Sequence, residues 1–249
     1  MNLVIVVLAV IVFVALFYLL LRPMRIPRDP DREGIEDEVS AQAYYRVSRW
    51  PLFVFVRCII LRFLAKMKPA GLLIDIGCGP GFLTAHVNRK FPEVKVSGLD
   101  ISESALKKAG QTFPLEFYPG LEFIQADAQQ LPCADNSIDF FISSLSLHHW
   151  PDAHQVFQEI YRTLKPGGQF LIFDLRRNTP VLFYLILAAG QKLFAPKSIR
   201  RINGGVGSFW ASYTPAEIKL MLSEIPPENL QVKSNLGWMY ITGAKSAKS

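Results

Sequence analysis

The 249-residue chain is poor in cysteine and histidine and carries no basic residue before position 22. Its three cysteines, Cys58, Cys78 and Cys133, are odd in number and widely separated, with no CxxC and no Cys/His pair at ligand spacing. That pattern argues against a disulfide framework and against a zinc site; reduced, mostly buried thiols and no bound metal are expected. Only four histidines, His86, His148, His149 and His154, are on hand for proton transfer near neutral pH. No internal repeat or low-complexity tract is present. Lys+Arg number 27 against 21 Asp+Glu, yet no stripe interleaves basic and aromatic residues, so a nucleic-acid partner is not expected. With 19% charged and 12% aromatic residues, wholesale disorder is excluded.

What the chain has in excess is apolar sequence at one end. Residues 3–21 are 19 consecutive apolar residues, within the ~17–25 that cross a bilayer as a helix. Without them, hydrophobic content falls from 50% to roughly 46%, an ordinary globular value. A cleaved signal peptide would need a basic start, a shorter apolar core and a small-x-small cleavage site. None is here, so residues 1–21 are expected to be a retained single-pass anchor. Arg22, Arg25 and Arg28 supply half of the formal +6 and all lie on the C-terminal side. The positive-inside rule then puts the rest of the chain on the cytoplasmic face. Pro23, Pro27 and Pro30 stop the helix, and residues 22–40, basic then acidic, are expected to form a solvated linker.

From residue 41 to 249 one α/β domain is expected. Strand-like runs fall at 72–76, 94–99, 121–125, 138–143 and 168–173, with helical patterns between them. Residues 153–164 place Val156, Phe157, Ile160, Tyr161 and Leu164 on one helical face, ended by Lys165-Pro166-Gly167-Gly168. Such alternation predicts right-handed βαβ units and a mostly parallel sheet. Thr214-Pro215-Ala216-Glu217 is a capping box that starts a helix expected to reach Glu224 before Pro226-Pro227. Residues 230–234 and 238–243, joined through Asn235-Leu236-Gly237, read as a terminal hairpin.

The sharpest signal is Leu72-Leu73-Ile74-Asp75-Ile76-Gly77-Cys78-Gly79-Pro80-Gly81-Phe82. An apolar strand enters a turn with glycine at alternate positions and then a helix, whose first N–H groups face a polar ligand. By itself such a loop is a dinucleotide site, a phosphate cradle or a tight turn. Spacing narrows this. The third glycine comes one position early for a G-x-G-x-x-G fingerprint, and no Walker lysine follows.

This loop resembles motif I of the class I S-adenosylmethionine-dependent methyltransferases, most closely the type 11 and ubiquinone/menaquinone-biosynthesis enzymes. Four further segments, in order, carry the same resemblance: Gly98-Leu99-Asp100-Ile101-Ser102, Gln125-Ala126-Asp127-Ala128, the run from Asp139 to Trp150, and Leu164-Lys165-Pro166-Gly167-Gly168. Upstream, Ala41-Gln42-Ala43-Tyr44-Tyr45 is similar to the family's A-x-x-Y-D segment, with Tyr45 in place of the acid. The resemblance implies a Rossmann-like seven-stranded sheet, S-adenosylmethionine as cofactor, and a methyltransferase activity.

It also implies roles for particular residues. Asp75 would face the cofactor's ammonium end, beside Gly77, Cys78, Gly79 and Gly81. Asp100 would accept the ribose hydroxyls, Ile101 would lie against the adenine, and Asp127 with Ala128 would meet its amino group. Ser143 would lie under the methionyl portion. Each has a plainer reading: Asp100 as a helix cap, Asp127 and Ser143 as turn residues, and Asp75 as a buried acid that needs a polar partner. His148 and His149, beside the methyl donor, are the candidates for a base or an acceptor-orienting group; packing beneath the cofactor is the alternative. No Asn-Pro-Pro-Tyr or Asp-Pro-Pro-Tyr follows the fourth strand, which disfavours methylation of DNA adenine or glutamine side chains.

Residues 177–213 occupy the place of a substrate lid and hold the apolar run 181–189, then Leu193, Phe194, Lys197, Arg200 and Arg201. Too short to span a bilayer, the run is either a buried lid helix or an interfacial one, and residues 51–64 pose the same choice. A small lipophilic acceptor (quinone, prenyl or lipid-like) is the expected substrate. The alternative is a degenerate methyltransferase-fold scaffold that binds cofactor or a membrane partner.

Overall fold

Alternation of apolar residues along the strand-like runs fixes where each strand must go, because a strand with both faces covered is apolar on both. The computed structural model describes residues 3–30, 38–195, 197, 200, 204–225 and 227–247. Residues 31–37 of the expected linker, Arg201 and Pro226 lie outside them. Seven strands form, β1 (Leu72–Ile76), β2 (Lys95–Asp100), β3 (Leu121–Gln125), β4 (Ile138–Ser144), β5 (Leu164–Leu175), β6 (Glu228–Ser234) and β7 (Trp238–Ala244). They build one sheet in the order β3-β2-β1-β4-β5-β7-β6. The first five are parallel, and β7 runs antiparallel to both β5 and β6. The expected parallel sheet with a terminal hairpin is present.

Among the described residues the helices are α1 (Leu3–Leu21), α2 (Glu38–Val47), α3 (Pro51–Met67), α4 (Phe82–Lys90), α5 (Glu103–Thr112), α6 (Ala153–Thr163), α7 (Val181–Phe194), α8 (Val206–Ala211) and α9 (Pro215–Met221). On one sheet face Ile74, Ile76, Phe141 and Ile172 pack with Val156, Phe157 and Ile160 of α6 and with Ile218 of α9. Burying each such side chain of α6 contributes about 1.5–3 kcal/mol. On the other face Leu73, Val96, Phe140 and Ile142 meet Ile60 and Leu64 of α3 and Leu83 and Val87 of α4.

Several boundaries shift by a residue or two, and two differ more from expectation. β5 begins at Leu164, not 168: Leu164 pairs with Ile138, and the ladder resumes at Phe140 opposite Gln169 across a bulge. The bulge is held by Lys165 against Asp139 at 2.8 Å and by the Gly167 N–H on the Lys245 carbonyl. α9 stops at Met221, three residues before Glu224, because Leu222 and Ile225 turn inward and are buried.

The capping box at Thr214 forms as expected, its hydroxyl accepting from the Glu217 N–H. Among the described residues no helix is long and apolar enough to cross a membrane. The backbone is helical over Leu3–Leu21, and most of its described side chains, Phe13 and Tyr18 among them, are exposed.

The expectation of a solvated linker needs correction over residues 22–29. This segment is a strap against the lid region, because its backbone groups find partners there. The Val181 N–H donates to the Arg22 carbonyl at 3.0 Å, and the N–H of Met24 to the Thr179 carbonyl at 2.8 Å. Asp29 N–H donates to the Trp210 carbonyl at 2.9 Å. Buried Arg177 ties the strap down, donating to the Ile26 and Ser212 carbonyls and pairing with Glu217.

Of the two apolar stretches, α3 is half core, whereas α7 has no fully buried side chain. In α3, Ile60, Leu61 and Leu64 are buried while Leu52, Val54 and Phe55 are exposed. In α7, Phe183 stacks edge-on against Phe209 and Trp238, while Leu185, Ile186, Leu193 and Phe194 face outward.

Candidate active site

The carboxyl ends of β1, β2, β4 and β5 converge, and every chemically interesting side chain sits on or just beyond them. β1 alternates, so Leu73 and Asp75 point toward α3 and α4 while Ile74 and Ile76 point toward α6. Asp75 is therefore carried into the interior, 1% exposed, where Thr84 of α4 donates its hydroxyl to Oδ2 at 2.7 Å. Burial pushes its carboxyl up to about 7, and the nearby Asp100 adds to the rise, while the Thr84 hydrogen bonds oppose it.

The glycine loop is held from beneath by β2. Gly77 and Cys78 both donate their N–H to the Leu99 carbonyl, at 2.7 and 3.0 Å. Gly77 has φ +67°, and a Cβ there would lie 1.9 Å from Ser146 Oγ, so no other residue fits. Gly79 also has positive φ, +53°, but a Cβ there would meet nothing within 4 Å. The space above Gly79 is open, as a loop that wraps a ligand requires. Cys78 is buried, its thiol pushed well above the ordinary value by burial, and contributes to the loop through its backbone.

Asp100 closes the loop onto the next strand. Oδ2 accepts from the Gly79 N–H at 2.7 Å and Oδ1 from the Ser102 N–H at 2.9 Å. The cap of α5 is Ser102, whose hydroxyl accepts from Ala105 N–H, so Asp100 is not needed for that role. Burial raises its carboxyl too, and these backbone donors pull it back. Ile101 beside it is 68% exposed, an uncovered apolar surface at the mouth of the loop.

The remaining expected residues are placed as follows. Asp127 is exposed and makes a local turn, accepting from the Gln129 N–H at 2.8 Å. Ala128 packs half-buried against the α6-side core. Ser143 is buried and donates to the Ile76 carbonyl at 2.8 Å, stitching β4 to β1.

His148 and His149 lie in a single 3₁₀ turn after β4, with rings 4.0 Å apart. His148 is enclosed, with Nδ1 2.7 Å from Oδ1 of Asp174 and its backbone N–H donating to Oδ2 at 2.9 Å. Asp174, fully buried near the end of β5, was missed in the sequence. Its signal is the one that marks Asp75, a lone acid inside an apolar strand. Phe173 faces α3 and Ile172 faces α6, so Asp174 leaves the sheet on the face opposite to Asp75. Arg28 of the strap was missed as well. It donates to the Ala211 carbonyl at 2.7 Å and the His148 carbonyl at 3.3 Å, and stacks 4.1 Å from the centroid of the Tyr213 ring.

The arrangement suits a cationic, ribose-bearing ligand at the loop and a proton-accepting histidine held by a carboxylate beyond it. Comparison with known proteins gives the family. A family described as a methyltransferase domain matches residues 74–172. The chain is 32% identical over 186 residues to a demethylmenaquinone methyltransferase of Lactobacillus johnsonii, covering 69% of this chain and 74% of that one. It is 30% identical over 134 residues to a phthiotriol/phenolphthiotriol dimycocerosates methyltransferase of Mycobacterium tuberculosis, covering 54% of this chain and 48% of that one. Other relatives are matched over a fifth to about half of their own length. The fold is also that of the crystal structure of a putative S-adenosylmethionine-dependent methyltransferase of Methanococcus maripaludis, with TM-score 0.66 and 23% identity over 86% of this chain and 96% of that one.

Proposed function

We propose that this chain, which belongs to the class I S-adenosylmethionine-dependent methyltransferases, methylates a small lipophilic acceptor at a membrane surface. The observation that carries the cofactor half of this reading is the glycine loop, gripped by Asp100 and backed by buried Asp75, with open space above Gly79. The residues fit the cofactor. Asp75 is a buried acid whose partner among the described residues is Thr84, a neutral group, and it gains from a nearby ammonium group. The Asp100 oxygens accept the Gly79 and Ser102 N–H groups and retain lone-pair capacity for a ribose hydroxyl. Ile101 would supply an apolar surface for the adenine, and Asp127 with Ala128 would read its amino group. Ser143 acts by fixing β4 against β1 beneath the methionyl portion.

When bound, the cofactor supplies a methyl group made electrophilic by its sulfonium. The chain's own residues orient the acceptor, exclude water and accept a proton. Asp174 accepts the Nδ1 proton of His148, which leaves Nε2 basic and turned to a fixed direction. His148 Nε2 would take the proton that the acceptor's nucleophilic atom releases, and the pair with Asp174 would stabilise the charged ring. His149, half-buried against the same ring, orients the acceptor.

The lipophilic half rests on the surfaces around the lid. Leu185, Ile186, Leu193 and Phe194 are exposed on α7, and Leu52 and Phe55 on α3. The relatives named for demethylmenaquinone and for phthiotriol dimycocerosates carry the same preference. The membrane half of this reading comes from the sequence of residues 3–21, apolar and followed by Arg22, Arg25 and Arg28, which would put the catalytic domain on the cytoplasmic face; it does not come from the fold, whose described residues hold no helix long and apolar enough to cross a membrane. The test is incubation of the full chain with native membrane extract and methyl-labelled cofactor. Label in an organic-soluble small molecule is expected; label confined to protein or water-soluble product would refute the lipophilic acceptor.

A further inference from the structure

Where α1 ends, the strap turns and α7 begins, the chain leaves a cavity of about 670 Å³ lined by Tyr18, Arg22, Pro23, Met24, Arg25, Ile26 and Val181. We propose that this cavity binds the phosphate headgroup of an anionic phospholipid, with Arg22 and Arg25 as its cationic wall. The inference rests on the membrane location proposed above and gives that location a chemical partner.

Four observations converge. First, the lining is of two kinds, two guanidinium groups and a set of apolar side chains, with no carboxylate among them. An anion with an apolar continuation satisfies both parts, whereas a free inorganic anion satisfies one. Second, the Arg22 guanidinium stands 4.8 Å from the centroid of the Tyr18 ring, so it is held toward the last turn of α1. Third, the cavity sits where the apolar run of α1 stops at Leu21 and Arg22 begins, so apolar surface and cations meet there.

The fourth observation is the outer face of α7. Leu185, Ala189 and Leu193 recur at helical spacing with Ile186 beside them, and all are exposed. Lys192, Lys197 and Arg200 follow at its far end, also exposed. An apolar stripe edged by cations is the pattern of a helix lying in an anionic interface. The cavity also reaches the reaction centre through the strap. Ile26, which lines it, accepts from Arg177, and Arg28 two residues on holds the His148 carbonyl. A lipid seated there would therefore steady the segment that roofs the acceptor site.

The test uses the full chain in neutral detergent micelles, titrated separately with short-chain phosphatidylglycerol, short-chain phosphatidylcholine and inorganic phosphate, with thermal stabilisation as readout. Phosphatidylglycerol is expected to saturate at a concentration at least about ten-fold below phosphatidylcholine, and phosphate is expected to give no saturable shift. Arg22→Gln with Arg25→Gln is expected to abolish the preference, while Arg89→Gln with Lys90→Gln, an equal charge loss at the end of α4, leaves it intact. The unliganded unfolding midpoint of each variant reports whether it folded, and Arg25→Gln alone serves if the double variant does not. Equal response to both lipids would overturn the proposal, and so would a phosphate response matching phosphatidylglycerol. Partition of the full chain in carbonate-washed membranes separates the two failures: release into the soluble fraction sinks the membrane reading, whereas retention without lipid preference sinks only this site.

Discussion

Replacing Asp75 by Asn isolates the charge at the base of the cofactor site. Asn preserves size and can still accept the Thr84 hydroxyl, which lies 2.7 Å away. In the folded chain the Asp75 carboxyl titrates near 7 against an ordinary value of 3.8. The fold thus binds this proton more tightly than the unfolded chain does, so the ionised acid weakens the fold. That cost is absent below about pH 4, grows as pH rises, and is complete above about 7, at roughly 4 kcal/mol. An ammonium group pairs only with the ionised form, which is about a tenth of the population at pH 6 and nine-tenths at pH 8. Cofactor affinity of the parent chain should therefore rise about ten-fold from pH 6 to pH 8 by isothermal titration calorimetry. Asp75→Asn should bind more weakly at pH 8, by about 10–100-fold, with the pH dependence flattened. The same variant should be more stable than the parent at pH 8 and nearly equal to it at pH 4. A variant that binds as tightly as the parent at pH 8, or keeps the ten-fold pH slope, would refute the pairing.

Three further outcomes follow from the same geometry. Gly79→Ala should fold, with a stability loss of about 1–2 kcal/mol from its positive φ, yet lose cofactor affinity; Gly77→Ala should be far less stable in thermal unfolding, because its Cβ strikes Ser146. His148→Gln should reduce kcat by about 10²–10⁴-fold and remove the acidic limb of the pH–rate profile, and Asp174→Asn should reduce kcat and shift that limb while cofactor affinity stays near the parent value. An unchanged pH profile in both would show that the pair only packs. Arg28→Ala, which forfeits two carbonyl contacts and the Tyr213 stack, should cost about 1–3 kcal/mol in denaturant unfolding, and a loss near zero would mean that the strap is not fastened there.

The sheet and the glycine loop were legible in the amino acids alone. Strand identity is local, since runs such as 72–76 and 121–125 are short, mostly apolar and bounded by turn residues. Spacing between Asp75, the three glycines and Asp100 is also local, because strand, turn and helix are consecutive. Boundaries were less legible where contacts from elsewhere settled them. Lys165-Pro166-Gly167 reads as a break, yet Asp139 and Lys245 hold it within β5.

Only the tertiary structure decided which residues meet across the sheet. Nothing in the spacing joins His148 to Asp174, 26 residues apart, or Arg28 to His148 across 120. Those pairings depend on β4 and β5 lying side by side and on a strap whose backbone groups found partners on the lid region. The scarce features noted at the outset behave the same way. Two of the four histidines acquire a common setting only once the turn after β4 closes over β5, and the arginines beyond the apolar run become a site only where the strap folds back against α7. Period and spacing are properties of adjacent residues, whereas a buried carboxylate's partner is set by the burial of everything around it.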